Sequence, residues 1–85
     1  MPSYRVFIKP GAEREMNSLS EPVHRRITAK ILGLAENPRP HGTTKLHGMQ
    51  GYRLRVGDYR VLYTIEDASS TVTVQSVAHR REAYR

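Results

Sequence analysis

Apolar and polar residues alternate over residues 51–65, GYRLRVGDYRVLYTI, and this pattern predicts a β-hairpin. Midway along it lies Gly57-Asp58, a dipeptide typical of two-residue turns between antiparallel strands. A loop of this length fixes the register of the strands and places Arg55 directly opposite Arg60. Because successive side chains point to opposite faces of a strand, one face of the hairpin is apolar and the other carries three arginines.

The arginine face consists of Arg53, Arg55 and Arg60. Like charges directly opposite each other destabilise a pair of strands, so the three arginines are not expected to stabilise the hairpin. Guanidinium groups do bind phosphate oxygens in bidentate geometry. We therefore interpret the face as a phosphate-binding site. The alternative is a solvated polar face on which the side chains spread apart.

The residues before the hairpin predict a strand and two helices. Alternation over residues 4–9 predicts a strand that ends at Pro10-Gly11. A short helix follows, and a second begins after an N-cap at Ser20 and stops by Asn37, because a proline disfavours helical geometry in the residue before it. The apolar positions at helical spacing are Ala12, Met16 and Leu19, then Val23, Ile27, Ile31 and Leu34. We expect the two helices to cover the apolar face of the sheet as an antiparallel pair.

The complete order of elements is β-α-α-β-β-β, which predicts one small α+β domain over residues 1–85, with its helices on one face of the sheet. Residues 37–51 form a long connection, and such connections are often functional. Within it, Lys45 and His47 either reach the arginine face or are solvated loop side chains.

The last strand spans residues 71–78, and strict alternation divides its side chains and the following ones between two faces. The core side receives Val72, Val74, Ala78 and Arg80, and the arginine face receives Thr73, Gln75, Val77, His79 and Arg81.

Charge and composition narrow the classes of function. The 85 residues carry a formal net charge of +6, and the pI is near 10.2. This charge favours a polyanion or an acidic protein as partner. The chain contains no cysteine, which excludes disulfides and thiolate metal sites. The first residues contain no apolar run of signal-peptide length and no segment is apolar enough to span a membrane, so we expect a cytosolic location and no membrane partner.

The candidate chemistry is cleavage of an RNA phosphodiester. The chain has no glycine-rich phosphate loop, and His41, His47 and His79 show no recognised zinc spacing. RNA carries its own nucleophile, the 2′-hydroxyl, so clustered arginines need only hold and stabilise the phosphate. Arginine stays protonated and is a poor general base, whereas His79 or Tyr84 can transfer a proton. The alternatives are a strand-end histidine bonded to backbone and a tyrosine that caps the core.

Three motifs follow one another along the chain: K-L-x-G at 45–48, G-Y-x-x-R-x-G-x-Y-R-x-x-Y at 51–63 and H-R-x-x-x-Y at 79–84. Together they resemble the RelE/ParE toxins of bacterial and archaeal toxin–antitoxin systems. The resemblance implies a RelE-like fold. For RelE-like members it also implies cleavage of mRNA in the ribosomal A site through attack by the 2′-hydroxyl, with no metal or other cofactor.

The catalytic residues that the resemblance implies are Arg53, Arg55, Arg60, Arg80 and Tyr84. Arg60 and Arg80 are expected to hold the phosphate and stabilise the transition state, and Tyr84 to stack on or orient the substrate. Arg53 and Arg55 are expected to supply further charge, as base or electrostatic support. Some members have lysine at these two positions, and lysine can lose its proton where arginine effectively cannot. The general base is therefore left open between Tyr84, His79 and another residue. Further RNA contacts are expected from Lys45, His79 and Arg81.

The resemblance requires a bulge or bend near the end of the last strand, because strict alternation places Arg80 with the core. Arg81 is the alternative to Arg80.

The resemblance also implies the partners of the protein: a cognate antitoxin that neutralises the toxin, the ribosome and mRNA, and operator DNA bound only through the antitoxin complex. A rival interpretation is a ParE-like toxin that poisons DNA gyrase without cutting RNA. A third is a plain nucleic-acid-binding module, which needs only the charge.

Overall fold

The structure is a computed structural model that describes residues 3–46 and 51–83. Its elements are β1 (Arg5–Ile8), α1 (Pro10–Asn17), α2 (Glu21–Gly33), β2 (Thr43–Lys45), β3 (Gly51–Val56), β4 (Tyr59–Glu66), a 3₁₀ turn (Asp67–Ser69), β5 (Thr71–His79) and α3 (Arg80–Ala83). The described strands form one sheet in the order β1-β5-β4-β3-β2. Only β1 and β5 are parallel neighbours in it. The α+β prediction is confirmed, and the structure adds β2 within the predicted connection.

The hairpin formed by β3 and β4 has the predicted register, with Arg55 paired to Arg60. In its turn, Gly57 takes a φ of +59°, a left-handed conformation that glycine adopts without steric cost. A Cβ at this residue would lie 3.1 Å from Nη2 of Arg26 in α2. The backbone conformation therefore favours glycine here, whereas the exposed Arg26 side chain could move to admit a Cβ.

The helices α1 and α2 cover the apolar face of the sheet. Their buried residues are Ala12, Met16, Ile27 and Ile31, which confirms the predicted stripes. They pack against the buried sheet residues Leu54, Val56, Val61, Tyr63, Val72, Val74 and Val77. Pro10 lies in the first turn of α1, where its missing N–H costs nothing, so the Pro-Gly pair begins a helix as well as ending the strand. No described helix is long and apolar enough to cross a membrane.

A β-bulge divides β5 into two parts. Tyr63 of β4 pairs with Val74, and its neighbour Leu62 pairs with Ser76. Gln75 is therefore an extra residue without a partner position in β4. An extra residue reverses the alternation of side chains between the two faces beyond it.

This reversal corrects the face assignment of the last strand. Val77, predicted on the arginine face, is buried in the core. Ala78, predicted in the core, pairs with Arg60 on the arginine face. His79 pairs with Tyr59 and therefore lies on the helix-covered side, where alternation predicted the arginine face. The predicted need for a bulge is met, and the bulge lies nearer the middle of the strand than its end.

Candidate functional site

The three residues of the arginine face line one cleft of about 300 Å³. Arg53 and Arg55 come from β3 and Arg60 comes from the central strand β4. The other lining residues belong to the segment that leads into β2: His41, Gly42, Thr43 and Thr44. The hairpin register thus gathers the three arginines, and the segment before β2 closes the cleft from the side.

Arg60 is held in place by the backbone of the hairpin turn. The residue is only 7% exposed, and its Nη1 donates hydrogen bonds to the carbonyls of Tyr59 at 3.0 Å and Gly57 at 3.3 Å. Within the described residues, Nε and Nη2 of Arg60 make no hydrogen bond. A guanidinium group has five N–H donors in a rigid fork. Arg60 therefore presents pre-oriented donors to the cleft.

Within the described residues, two of the cleft arginines, Arg55 and Arg60, are not paired with acidic side chains. Among the side chains that the structure describes, no Asp or Glu forms an ion pair with Arg55, Arg60 or Arg80. Arginines elsewhere do find acids: Arg39 pairs with Asp67 at 2.9 Å. Unpaired guanidinium groups in a concave site attract an anionic ligand such as a phosphodiester.

Arg80 contacts the hairpin turn through its backbone and is not among the residues that line this cleft. It is the first residue of α3, and its N–H donates to the carbonyl of Asp58 at 2.7 Å. Arg60 reaches toward the same turn through its bond to the carbonyl of Gly57. Arg80 and Arg81 are both exposed. Tyr84 and His47, also named from the sequence, lie outside the described residues.

Two predicted RNA contacts lie away from the arginine face. Lys45 pairs with Tyr52 across β2 and β3, so its side chain is on the helix-covered side of the sheet. There it lines a separate cleft with Arg39 and Asp67. The ring of His79 packs edge-on against Tyr59, with the ring centroids 5.3 Å apart.

His41 is the cleft residue that the sequence did not reveal as part of the site. The dipeptide His41-Gly42 indicates a turn, but its approach to the arginines depends on the pairing of the short strand β2 with β3. In the structure, the N–H of Arg55 donates to the carbonyl of Gly42 at 3.4 Å. That contact joins the turn to the strand that carries the arginines.

Side chains of the sheet anchor the segment that contains His41. The hydroxyl of Tyr63 donates to the carbonyl of Pro38 at 2.7 Å, and burial raises the pKa of this phenol. Arg39 binds Asp67 and also donates from Nε to the hydroxyl of Tyr52 at 3.1 Å. The hydrogen bond from Arg39 lowers the pKa of Asp67 below its usual value. These contacts tie residues 38–39 to β3 and β4.

No cluster of three or more His, Asp or Glu side chains in residues 3–46 and 51–83 is placed to hold a metal ion.

A family model described as "ParE toxin of type II toxin-antitoxin system, parDE" matches residues 4–84. The chain belongs to the RelE/ParE family of type II toxin–antitoxin toxins. This RelE/ParE toxin is 32% identical over 84 residues to Toxin RelE of Mycobacterium tuberculosis, an alignment covering 96% of this chain and 87% of the relative.

Solved structures show the same fold for RelE/ParE toxins bound to antitoxins. In the RelBE2 toxin–antitoxin complex of M. tuberculosis, the matched chain is 26% identical with a TM-score of 0.82, covering 92% of this toxin and 99% of that chain. In the archaeal RelE–RelB complex of Pyrococcus horikoshii, the identity is 29% and the TM-score 0.83, covering 94% and 97%. The predicted family and fold are thereby confirmed.

Proposed function

We propose that this RelE/ParE toxin is a ribosome-dependent mRNA endonuclease that cuts in the A site and so inhibits translation. The observation that carries the proposal is the cleft lined by Arg53, Arg55 and Arg60. No acidic side chain among the described residues forms an ion pair with Arg55 or Arg60. Its relatives named RelE support the same assignment.

The proposed reaction uses the RNA's own nucleophile. The 2′-oxygen attacks the adjacent phosphorus, a 2′,3′-cyclic phosphate forms, and the bond from phosphorus to the 5′-oxygen breaks. Arg60 and Arg55 bind the non-bridging oxygens, on which negative charge develops in the transition state. Arg80, at the hairpin turn, extends this contact along the RNA backbone. Removing one such donor typically lowers the rate by about 10²–10³-fold.

An antitoxin protein is the proposed second partner. The solved relatives include RelE chains in complex with RelB, and the net charge of +6 on this chain favours an acidic partner. The antitoxin binds the toxin and prevents its action on the ribosome. Operator DNA is bound through the antitoxin component of the complex.

Primer extension on an mRNA under translation in a reconstituted system tests this function. Wild-type toxin should produce cuts at A-site positions, and none on the same mRNA without ribosomes. Arg60→Lys keeps the charge but removes the planar fork, and Arg55→Ala removes a cleft arginine, so both should lose most of the cutting. Lys30→Ala, on the exposed side of α2, is the control with wild-type activity. Melting curves establish that each variant is folded.

The outcomes separate the candidate functions. Cuts on free RNA as well would retain the nuclease and remove its dependence on the ribosome. A toxin that makes no cuts and instead inhibits DNA supercoiling by gyrase would be a ParE-like toxin, the candidate that the ParE description of the matching family model favours.

A further inference from the structure

Attack by a 2′-hydroxyl requires a proton acceptor close to the groups that hold the phosphate. Arginine is a poor general base, so Arg53, Arg55 and Arg60 do not fill that role. Among the side chains that the structure describes as lining the cleft, His41 is the only imidazole. Imidazole is the side chain that exchanges a proton most readily near neutral pH. Among the described cleft residues, His41 is therefore the one suited to accept this proton.

A tight turn presents His41 at the mouth of the cleft. The N–H of Thr43 donates to the carbonyl of Pro40 at 3.2 Å, which closes a turn over residues 40–43. Gly42 has a φ of +94°, as type II turns require at the third position. His41 occupies the second position, a corner of the turn, and is exposed to an incoming substrate.

Contacts on both sides fix this turn relative to the arginines. On one side, the N–H of Arg55 donates to the carbonyl of Gly42 at 3.4 Å. On the other, the buried hydroxyl of Tyr63 holds the carbonyl of Pro38 at 2.7 Å. The location of His41 is therefore set by the sheet, and a residue on a rigidly held turn can maintain catalytic geometry.

The other histidine considered for this role is occupied elsewhere. Nδ1 of His79 accepts a hydrogen bond from the N–H of Arg81 at 3.3 Å, which uses the lone pair of that nitrogen. The ring also packs edge-on against Tyr59, on the helix-covered side of the sheet. His79 is thus separated from the cleft by the sheet itself.

We propose that His41 is the general base of this toxin, an assignment that rests on the nuclease function proposed above. Its imidazole takes the proton of the 2′-hydroxyl while the 2′-oxygen bonds to phosphorus. The departing 5′-oxygen takes a proton from water, and the imidazolium later returns its proton to solvent. The charged groups of the cleft around the imidazole are Arg53, Arg55 and Arg60.

The test is single-turnover cleavage of an mRNA on programmed ribosomes, measured from about pH 5 to pH 8, the range in which histidine titrates. His41→Gln and His41→Ala should cut at least about 100-fold more slowly, while their binding to the ribosome stays within a few-fold of wild type. The rise of rate with pH should disappear in His41→Gln, and added imidazole should partly restore cutting by His41→Ala. His24→Gln, on α2, is the matched control with an unchanged rate and pH profile.

The inference and the nuclease function fail in distinguishable ways. If wild-type toxin cuts and His41→Gln cuts within about threefold of it with the same pH profile, then His41 is not the base. If the rise of rate with pH disappears in His79→Gln and persists in His41→Gln, the general base is His79 and the assignment to His41 is wrong. If the wild-type toxin itself makes no cut, the nuclease function fails and the assignment falls with it.

Discussion

Arg60 combines burial, a full positive charge and hydrogen bonds to two backbone carbonyls of its own hairpin. Directly opposite lies Arg55, a second positive charge. Such an arrangement costs stability in the free protein. It becomes favourable when a phosphate lies between the two guanidinium groups, because each then donates to an anionic oxygen. The free toxin therefore stores a repulsion that a phosphate bound between the two guanidinium groups would relieve.

The Arg55→Ala variant tests this repulsion. We expect the free protein to be more stable by about 0.2–1 kcal/mol, since a like-charged cross-strand pair is removed, and to lose cutting activity. The measurement is thermal unfolding followed by circular dichroism. Arg5→Ala is the control, because Arg5 is an exposed strand arginine whose partner is Thr71. A clear loss of stability in Arg55→Ala, beyond that of the control, would contradict the account.

Asp67 gives the fold a pH-dependent contact. Its pKa lies below the usual value of 3.8, first because of the hydrogen bond from Arg39 and second because of the one from Tyr4. A lowered pKa in the folded state contributes stability above the unfolded pKa, and the contribution is lost as the pH falls toward the folded value. Wild type should therefore melt at a higher temperature than Asp67→Asn near pH 6. The difference in melting temperature should shrink as the pH falls below the unfolded value toward the lower pKa of the folded state.

Asp58→Asn is the matched control for this titration, since no ion pair of Asp58 exists among the described residues. Its melting temperature should follow that of wild type over the same pH range. If the difference in melting temperature between wild type and Asp67→Asn stays constant from pH 6 downward, the Arg39 contact does not have the proposed role.

At the scale of elements, the bulge in β5 decides which side chains reach the arginine face. Its extra residue, Gln75, turns Val77 into the core and moves Ala78 next to Arg60. The bulge is stabilised from α1, because the carboxylate of Glu15 accepts a hydrogen bond from the N–H of Val77 at 2.9 Å. A helix on the covered side of the sheet thus supports the strand end that leads into Arg80.

Glu15→Ala should destabilise this element. The N–H of Val77 is part-buried and loses its acceptor, which costs about 1–3 kcal/mol. We expect a lower free energy of unfolding and amide exchange at Val77 at least about tenfold faster. Glu15→Gln retains an acceptor, so its free energy of unfolding should lie between those of wild type and Glu15→Ala. Glu13→Ala, exposed on the same helix, is the control. Unchanged exchange at Val77 in Glu15→Ala would show that the contact is dispensable.

The sequence predicts those parts of the site that depend on local rules. The two-residue turn fixes the Arg55–Arg60 pair, because the register of a short hairpin follows from its loop. Nothing in the alternation of β5 marks Gln75 as an extra residue, since a bulge is defined by pairing with a distant strand. The side of the sheet taken by Lys45 and the position of His41 likewise depend on β2, a strand of three residues. These features are set by the pairing of strands distant in sequence, so local patterns do not predict them.

In the molecule as a whole, one face of the sheet forms the core and the opposite face carries the arginine cleft. The helices α1 and α2 cover one face of the sheet and form the core with it. The opposite face is left to the arginine cleft, to which the segment before β2 contributes a histidine. A thin domain with one core face can thus support a concentrated positive site, whose repulsion is offset by burial on the other side. The net charge of +6 adds long-range attraction for a polyanion.

The proposed cleavage of RNA through its 2′-hydroxyl can be tested directly by removing that hydroxyl from the mRNA. Ribosomes are programmed with two mRNAs that differ only by a 2′-deoxy sugar at the A-site position where the cut occurs, and wild-type toxin is added to both. We expect rapid cutting of the all-ribose mRNA and no cutting of the deoxy-substituted one, because the nucleophile has been removed. Equal cutting of both, or of neither, would contradict the proposal.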